Sequence, residues 1–220
     1  MTTSKLFDSD TRGHVEAAIL ETVNAQPEFL STRAAMSTRG VGDELQAIVS
    51  ENLESILKGM IGDYVGKFER RALADIAFTD SDGVYYAVDV KTHRLDTKFN
   101  MPNLISVRRI AEFYSDDNNV FVTLIIRYRL NGTRVLATQA HFAPIEFLSW
   151  NCLRIGALGL GQIQIKNANR IELLTAHSRR DWMLELCGRV VSYHQSEQTK
   201  IERQKQYFDQ VRRSWLEREA

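Results

Sequence analysis

The run LADIAFTDSDGVYYAVDVK, from Leu73 to Lys91, leaves its backbone little choice. Two segments rich in β-branched and aromatic residues, 73–79 and 84–91, flank Ser81-Asp82-Gly83, the composition of a hairpin turn. A turn over 81–83 pairs residue 80 with 84, and the same register sets Asp75 opposite Asp89. Side chains alternate along a strand, so Ala74, Ile76, Phe78, Tyr86, Val88 and Val90 share one face, and each of them is apolar. The other face carries Asp75, Asp89 and, two residues on, Lys91. Directly opposed Cβ atoms lie about 4.5–5.5 Å apart, where like charges destabilise. Two carboxylates so placed need a raised pKa or a cation between them. Oxygen ligands on a rigid edge suit Mg2+, which accepts one or two carboxylates with water and substrate phosphate. A lysine beside such a site can orient or deprotonate an attacking water. This is the set that phosphodiester hydrolysis requires. The plain alternative is two solvated aspartates on an open sheet face, with Lys91 in an ordinary cross-strand ion pair.

Around this hairpin, periodicity predicts helices over 14–24 and 41–60, the second with Leu45, Ile48, Val49, Leu53, Ile56, Leu57 and Met60 at spacings of three and four. A helix over 103–114 enters through Pro102 and Asn103. The strand 120–130, the Asn131-Gly132 turn and the strand 133–142 form a second hairpin. A Gly-rich loop, 155–161, precedes the alternating strand 162–166, and a short strand follows near 171–175. Ser178 with Asp181 opens a long C-terminal helix, whose apolar stripe of Trp182, Leu186, Val190, Tyr193, Ile201, Phe208, Val211 and Trp215 reads as core or dimer packing. The expected class is α/β (α+β): a central mixed β-sheet flanked by helices, with a long C-terminal helix, in one domain over residues 1–220. No segment approaches membrane-spanning length and no apolar signal core opens the chain, so a cytoplasmic protein with no membrane partner is expected. Cys152 and Cys187 sit in apolar surroundings and read as buried free thiols. His14, His141, His177 and His194 have no zinc-ligand spacing, and His93 reads as a surface residue.

Ala74-Asp75, followed after a short hairpin by Asp89-Val90-Lys91, resembles the signature of the PD-(D/E)XK nuclease superfamily. The continuation KTHRLDTKFNMPNLIS, Lys91 to Ser106, is similar to the segment after the catalytic lysine in type II restriction endonucleases of that superfamily. LGLGQIQIK, Leu158 to Lys166, resembles a Gly-rich turn and strand in those enzymes, and the region from Arg179 through Trp215 is similar in pattern to their closing region. Ala74 stands where the signature has proline.

The resemblance implies a restriction-endonuclease-like core and a homodimer that uses Mg2+ to cut double-stranded DNA at a short palindrome, with blunt ends. It assigns Asp75, Asp89 and the carbonyl of Val90 to the metal and Lys91 to the water. Glu44 would be the acidic residue of the first long helix near the metal, with Asp43 and Glu51 competing for the place. Thr92, Arg94 and Lys98 would contact phosphates. Asn100 and Asn103 fall where relatives touch bases; Asn103 could equally cap a helix. Gly156, Gly159 and Gly161 would let backbone approach the bases, or form an ordinary connection. Gln162 and Gln164 share a strand face and would read bases, or line a solvated edge.

Charge tests the DNA reading, because 28 Lys+Arg against 28 Asp+Glu give a formal net charge of zero. The neutrality is uneven. Residues 40–82 hold nine acidic and four basic residues, whereas 122–170 hold six basic and one acidic. An acidic part that collects a metal and basic segments that face phosphates would produce such a distribution. Two other classes stay open: a repair or junction nuclease without sequence preference, and a non-catalytic binding module whose carboxylates are structural.

Overall fold

A computed structural model describes residues 5–26, 28–66, 73–97, 102–156 and 159–218. Helix α1 (Ser9–Asn24), the one-turn helix α2 (Thr32–Ala35) and helix α3 (Thr38–Ile56) come before the sheet. Each opens on a side-chain oxygen: Asp8 accepts from Thr11 N, Ser31 from Ala34 N and Ser37 from Gly40 N. First-turn N–H groups lack partners inside a helix, so these caps decide where each one starts. The periodic stripe of α3 buries Val41, Leu45, Ile48, Val49 and Leu53. The helix stops at Ile56, earlier than the spacing predicts, and the chain reverses at Gly59 with φ 81°.

Strands β1 (Ile61–Val65), β2 (Ile76–Asp80) and β3 (Tyr85–Arg94) follow; then β4 (Asn103–Ser106), helix α4 (Val107–Phe113), β5 (Asn119–Asn131) and β6 (Arg134–Pro144). The main sheet runs β1-β2-β3-β5-β6. Only β3 and β5 pair in parallel, across the α4 crossover, so the sheet is mixed as expected. Its β2–β3 register is the expected one, with Ile76 opposite Val88 and Phe78 opposite Tyr86. Asp80 ties the turn, accepting from Asp82 N, Val84 N and the Tyr86 hydroxyl. A second, three-stranded sheet runs β4-β8-β7, from β7 (Leu153–Gly156) and β8 (Gln162–Ile165).

Helices cover both faces of the main sheet. On one side α1 and α3 pack on Ile76, Phe78, Tyr86, Val88, Val90, Val122, Leu124 and Ile126. On the other, α4, the small sheet and the start of helix α5 (Arg179–Leu216) pack on Ala87, Phe121 and Ile125. Trp182 of α5 is fully buried there, stacked on Trp150 at 5.0 Å and donating its indole N–H to Leu148 O at 3.1 Å.

Several expectations fail. The helix predicted over 103–114 is a strand up to Ser106, because Asn103 and Ser106 pair with Gln164 and Gln162 of β8. Ser106 caps α4, so Asn103 does not. Residues 155 and 156, expected in the Gly-rich loop, end strand β7, and 171–175 make a single bridge, Leu148 to Leu173. The stripe on α5 is buried only at Trp182 and Leu186; Ile201, Phe208 and Trp215 are exposed, since a helix of 38 residues reaches about 57 Å and outruns the body it packs on. Cys152 is buried but Cys187, on α5, is exposed. Among the described residues no helix is long and apolar enough to cross a membrane.

Replacing Trp182 by Ala removes the centre of the second core and should lower stability by about 3–5 kcal/mol, read as a shift of the denaturant midpoint. A small alkylating reagent should label Cys187 in the native protein and reach Cys152 only after unfolding, which mass spectrometry of timed samples checks.

Candidate functional site

Val88 and Val90 of β3 face α1 and α3, so the intervening Asp89 and the following Lys91 and His93 emerge on the other face. There Asp89 is 7% exposed, its Oδ1 takes the Lys91 ammonium at 2.6 Å, and its Oδ2 is buried with no hydrogen-bond partner among the described residues. Burial pushes the Asp89 carboxyl up to about 7; Lys91 pulls it down and Asp75 adds a smaller upward push. Asp75 stands one residue before β2, where the ladder ends. Its backbone N–H donates to Val88 O at 2.9 Å and its Oδ2 accepts from Val90 N at 2.7 Å. The expected side-by-side carboxylate pair is therefore modified: Asp75 acts as the missing strand partner of β3 and so sits against Asp89. Ala74 leaves the face assigned to it and packs on the second core. Lys91 Nζ is 3.5 Å from Val90 O, so one ammonium holds two of the oxygens expected to bind a metal.

Lys91 also lines a cavity of about 400 Å³ between β3 and the start of α3, with Thr38, Arg39, Gln46, Thr92 and Arg94. Asp43 lines it too, paired with Arg39 at 3.9 Å; Glu44 and Glu51 are exposed and do not. Asp43 is exposed as well, and of the three acidic residues it alone lines this cavity. Thr92 faces Gly42, where a Cβ would come within 2.9 Å of its Oγ1, so glycine is what lets α3 approach β3 here. Arg94 forks onto Asp96 at 2.6 and 2.7 Å, an exposed pair that already offsets its charge. Lys98 and Asn100 lie outside the described residues.

His93, expected at the surface, is 2% exposed, and its Nε2 lies 2.9 Å from Asn169 Oδ1. Arg127, its neighbour across β5, bonds to Gln139 and lies 3.4 Å from the same Asn169 oxygen. The turn after β8 is thereby pinned to the strand that carries Asp89 and Lys91. Nothing in one strand's alternation could have announced this; the signal is the parallel pairing of β3 with β5.

The small sheet gathers several residues proposed to read bases. Ile163 and Ile165 point into the core, which leaves Gln162 and Gln164 on the outer face. Gln164 is opposite Asn103 on one side and Arg154 on the other. Its amide lies where a Cβ at Gly156 would stand, so Gly156 serves that side chain. Gly159 and Gly161 adopt φ of 62° and 120°, and at Gly161 a Cβ would crowd Ile155 and Val107 at 3.1 and 3.3 Å. Gly161 closes the hairpin against the core. Arg154, which sequence reasoning passed over, is exposed on the same face.

Among the described residues no group of three or more His, Cys, Asp or Glu side chains could hold a metal ion. The donors present are two carboxylates and a carbonyl, with one carboxylate oxygen buried and unpartnered. That set fits Mg2+, which completes its shell with water and phosphate, and does not suit zinc. No protein-family model matches this chain, and no curated protein matches it.

Gly156→Ala should force Gln164 off the hairpin and lower stability by about 1–3 kcal/mol, as overpacking does. An unchanged denaturation midpoint would mean that Gln164 moves aside freely.

Proposed function

We propose that this chain is a type II restriction endonuclease of the PD-(D/E)XK superfamily: a cytoplasmic homodimer that hydrolyses one phosphodiester per strand at a palindromic site in double-stranded DNA, using Mg2+. The observation that carries the reading is the buried, unpartnered Oδ2 of Asp89 beside Asp75, Val90 O and Lys91. A buried carboxylate oxygen without a partner is costly, and a ligand is a natural reason to keep one.

Asp75, Asp89 and Val90 O would hold the cation. Bound there, Mg2+ supplies Lewis-acid polarisation of the scissile phosphate. Asp75 also fixes the edge of β3 by accepting from Val90 N, which keeps Asp89 and the Val90 carbonyl in place. Lys91 reaches the same oxygens, so its ammonium would stand beside the cation and could orient an attacking water or take part in its deprotonation. The cavity beside Lys91, with Arg39 and Arg94 on its wall, has room for a sugar-phosphate segment. The exposed Ile201, Phe208 and Trp215 of α5 support self-association, which a palindromic substrate needs.

Incubation with unmethylated genomic DNA and Mg2+ should give discrete fragments with blunt ends. Lys91→Ala should slow cleavage about 10²- to 10⁴-fold. A smear would favour a nuclease without sequence preference, and no cleavage of any DNA would sink the reading. Calorimetry without DNA should record Mg2+ binding by the wild type and its loss in Asp89→Asn.

A further inference from the structure

The hydrogen bonds of the small sheet have a direction. Arg154 Nε donates to Gln164 Oε1 at 3.1 Å, and Gln164 Nε2 donates to Asn103 Oδ1 at 2.5 Å. Arginine carries only donors, so the first bond can run one way alone. It turns the Gln164 oxygen toward Arg154, which turns the Gln164 nitrogen toward Asn103. That in turn makes the Asn103 oxygen the acceptor and leaves Asn103 Nδ2 on the side away from Gln164. Among the described residues neither Arg154 nor Asn103 has another side-chain partner. Among the described residues the Nη atoms of Arg154 and the Nδ2 of Asn103 are therefore without a partner, and all of them donate. The amide carbonyls of Gln164 and Asn103 are turned into the relay, so Arg154 and Asn103 themselves present only donors.

Three strands cooperate in this arrangement. β7 supplies Arg154 and the bare backbone of Gly156, across which the Gln164 side chain lies. β8 supplies Gln164, and β4 sets Asn103 opposite it. Without the flat crossing at Gly156 the relay has no middle member.

From this we infer that Arg154 and Asn103 form a guanine-selecting surface, with Arg154 as the main specificity determinant. The inference rests on the proposed nuclease reading and deepens it. In the major groove guanine alone offers two adjacent acceptors, O6 and N7; adenine offers one acceptor and one donor, cytosine a donor, and thymine an acceptor beside a methyl group. A surface with only donors matches the first and sets donor against donor at adenine N6 and cytosine N4. The guanidinium fork meets O6 and N7 together, which an ammonium does not.

The test uses the full chain with Lys91→Ala as background, mixed with a pool of randomised DNA duplexes; bound duplexes are recovered and sequenced. The background protein should enrich a motif with a guanine at one fixed position in each half-site. Adding Arg154→Ala should reduce the preference at that position about 10- to 100-fold and leave the other positions standing. Arg154→Lys should restore affinity better than base preference. A motif with no guanine, or an Arg154→Ala profile weakened equally at every position, overturns the inference while sparing the nuclease reading. No enrichment by the background protein overturns both.

Discussion

The ion pair between Asp89 and Lys91 governs what strand β3 can be. β3 has neighbours along both edges and packed layers on both faces, the setting in which strands are made of uninterrupted apolar residues. Val88 and Val90 obey that rule on one side, while Asp89, Lys91 and His93 break it on the other. A lone ionised carboxylate there would be expelled or protonated. Lys91 at 2.6 Å keeps the charged form accessible, but the pair itself is weak grounds for stability, since desolvation offsets most of its attraction. Apolar residues of similar size would serve the sheet better. The polar face of β3 is thus a departure from what folding alone favours, and such departures concentrate where chemistry is done.

How far the fold could be read from sequence follows from the range of the forces involved. The β2–β3 register was legible because a one-residue slip would turn Ile76, Phe78, Tyr86 and Val88 out of the core. α3 was legible for the same reason at a period of 3.6. The failures lie where a distant partner decides. Asn103 looks like a helix cap until β8 offers it a strand to pair with. His93 looks exposed until the turn at Asn169 closes over it. The α5 stripe is as regular at Ile201 and Phe208 as at Trp182, yet only its first turns meet the body. Asp75 shows the subtler limit. The register placed it correctly; what alternation did not show is that, where the ladder ends, one oxygen of its carboxylate accepts from Val90 N.

The candidate site was legible in its residues and less so in its arrangement. Asp75, Asp89 and Lys91 come together as alternation required. That Asp43 lines the cavity and Glu44 and Glu51 do not depends on the rotation of α3 about its axis, which brings Gly42 close to Thr92. An exposed Glu44 follows from that contact and from no pattern in the acidic residues.

Two polar regions on separate sheets are tied together through one turn. β8 leads from Gln162 and Gln164 directly into the turn at Asn169, which contacts His93 two residues beyond Lys91. The outer face of the small sheet is therefore linked to β3 through strand β8 and a short turn. β8 is held along both edges by its ladder hydrogen bonds to β4 and β7. The Arg127 guanidinium adds a second tie at the same asparagine. One asparagine thus ties the strand that carries Gln164 to the strand that carries Lys91.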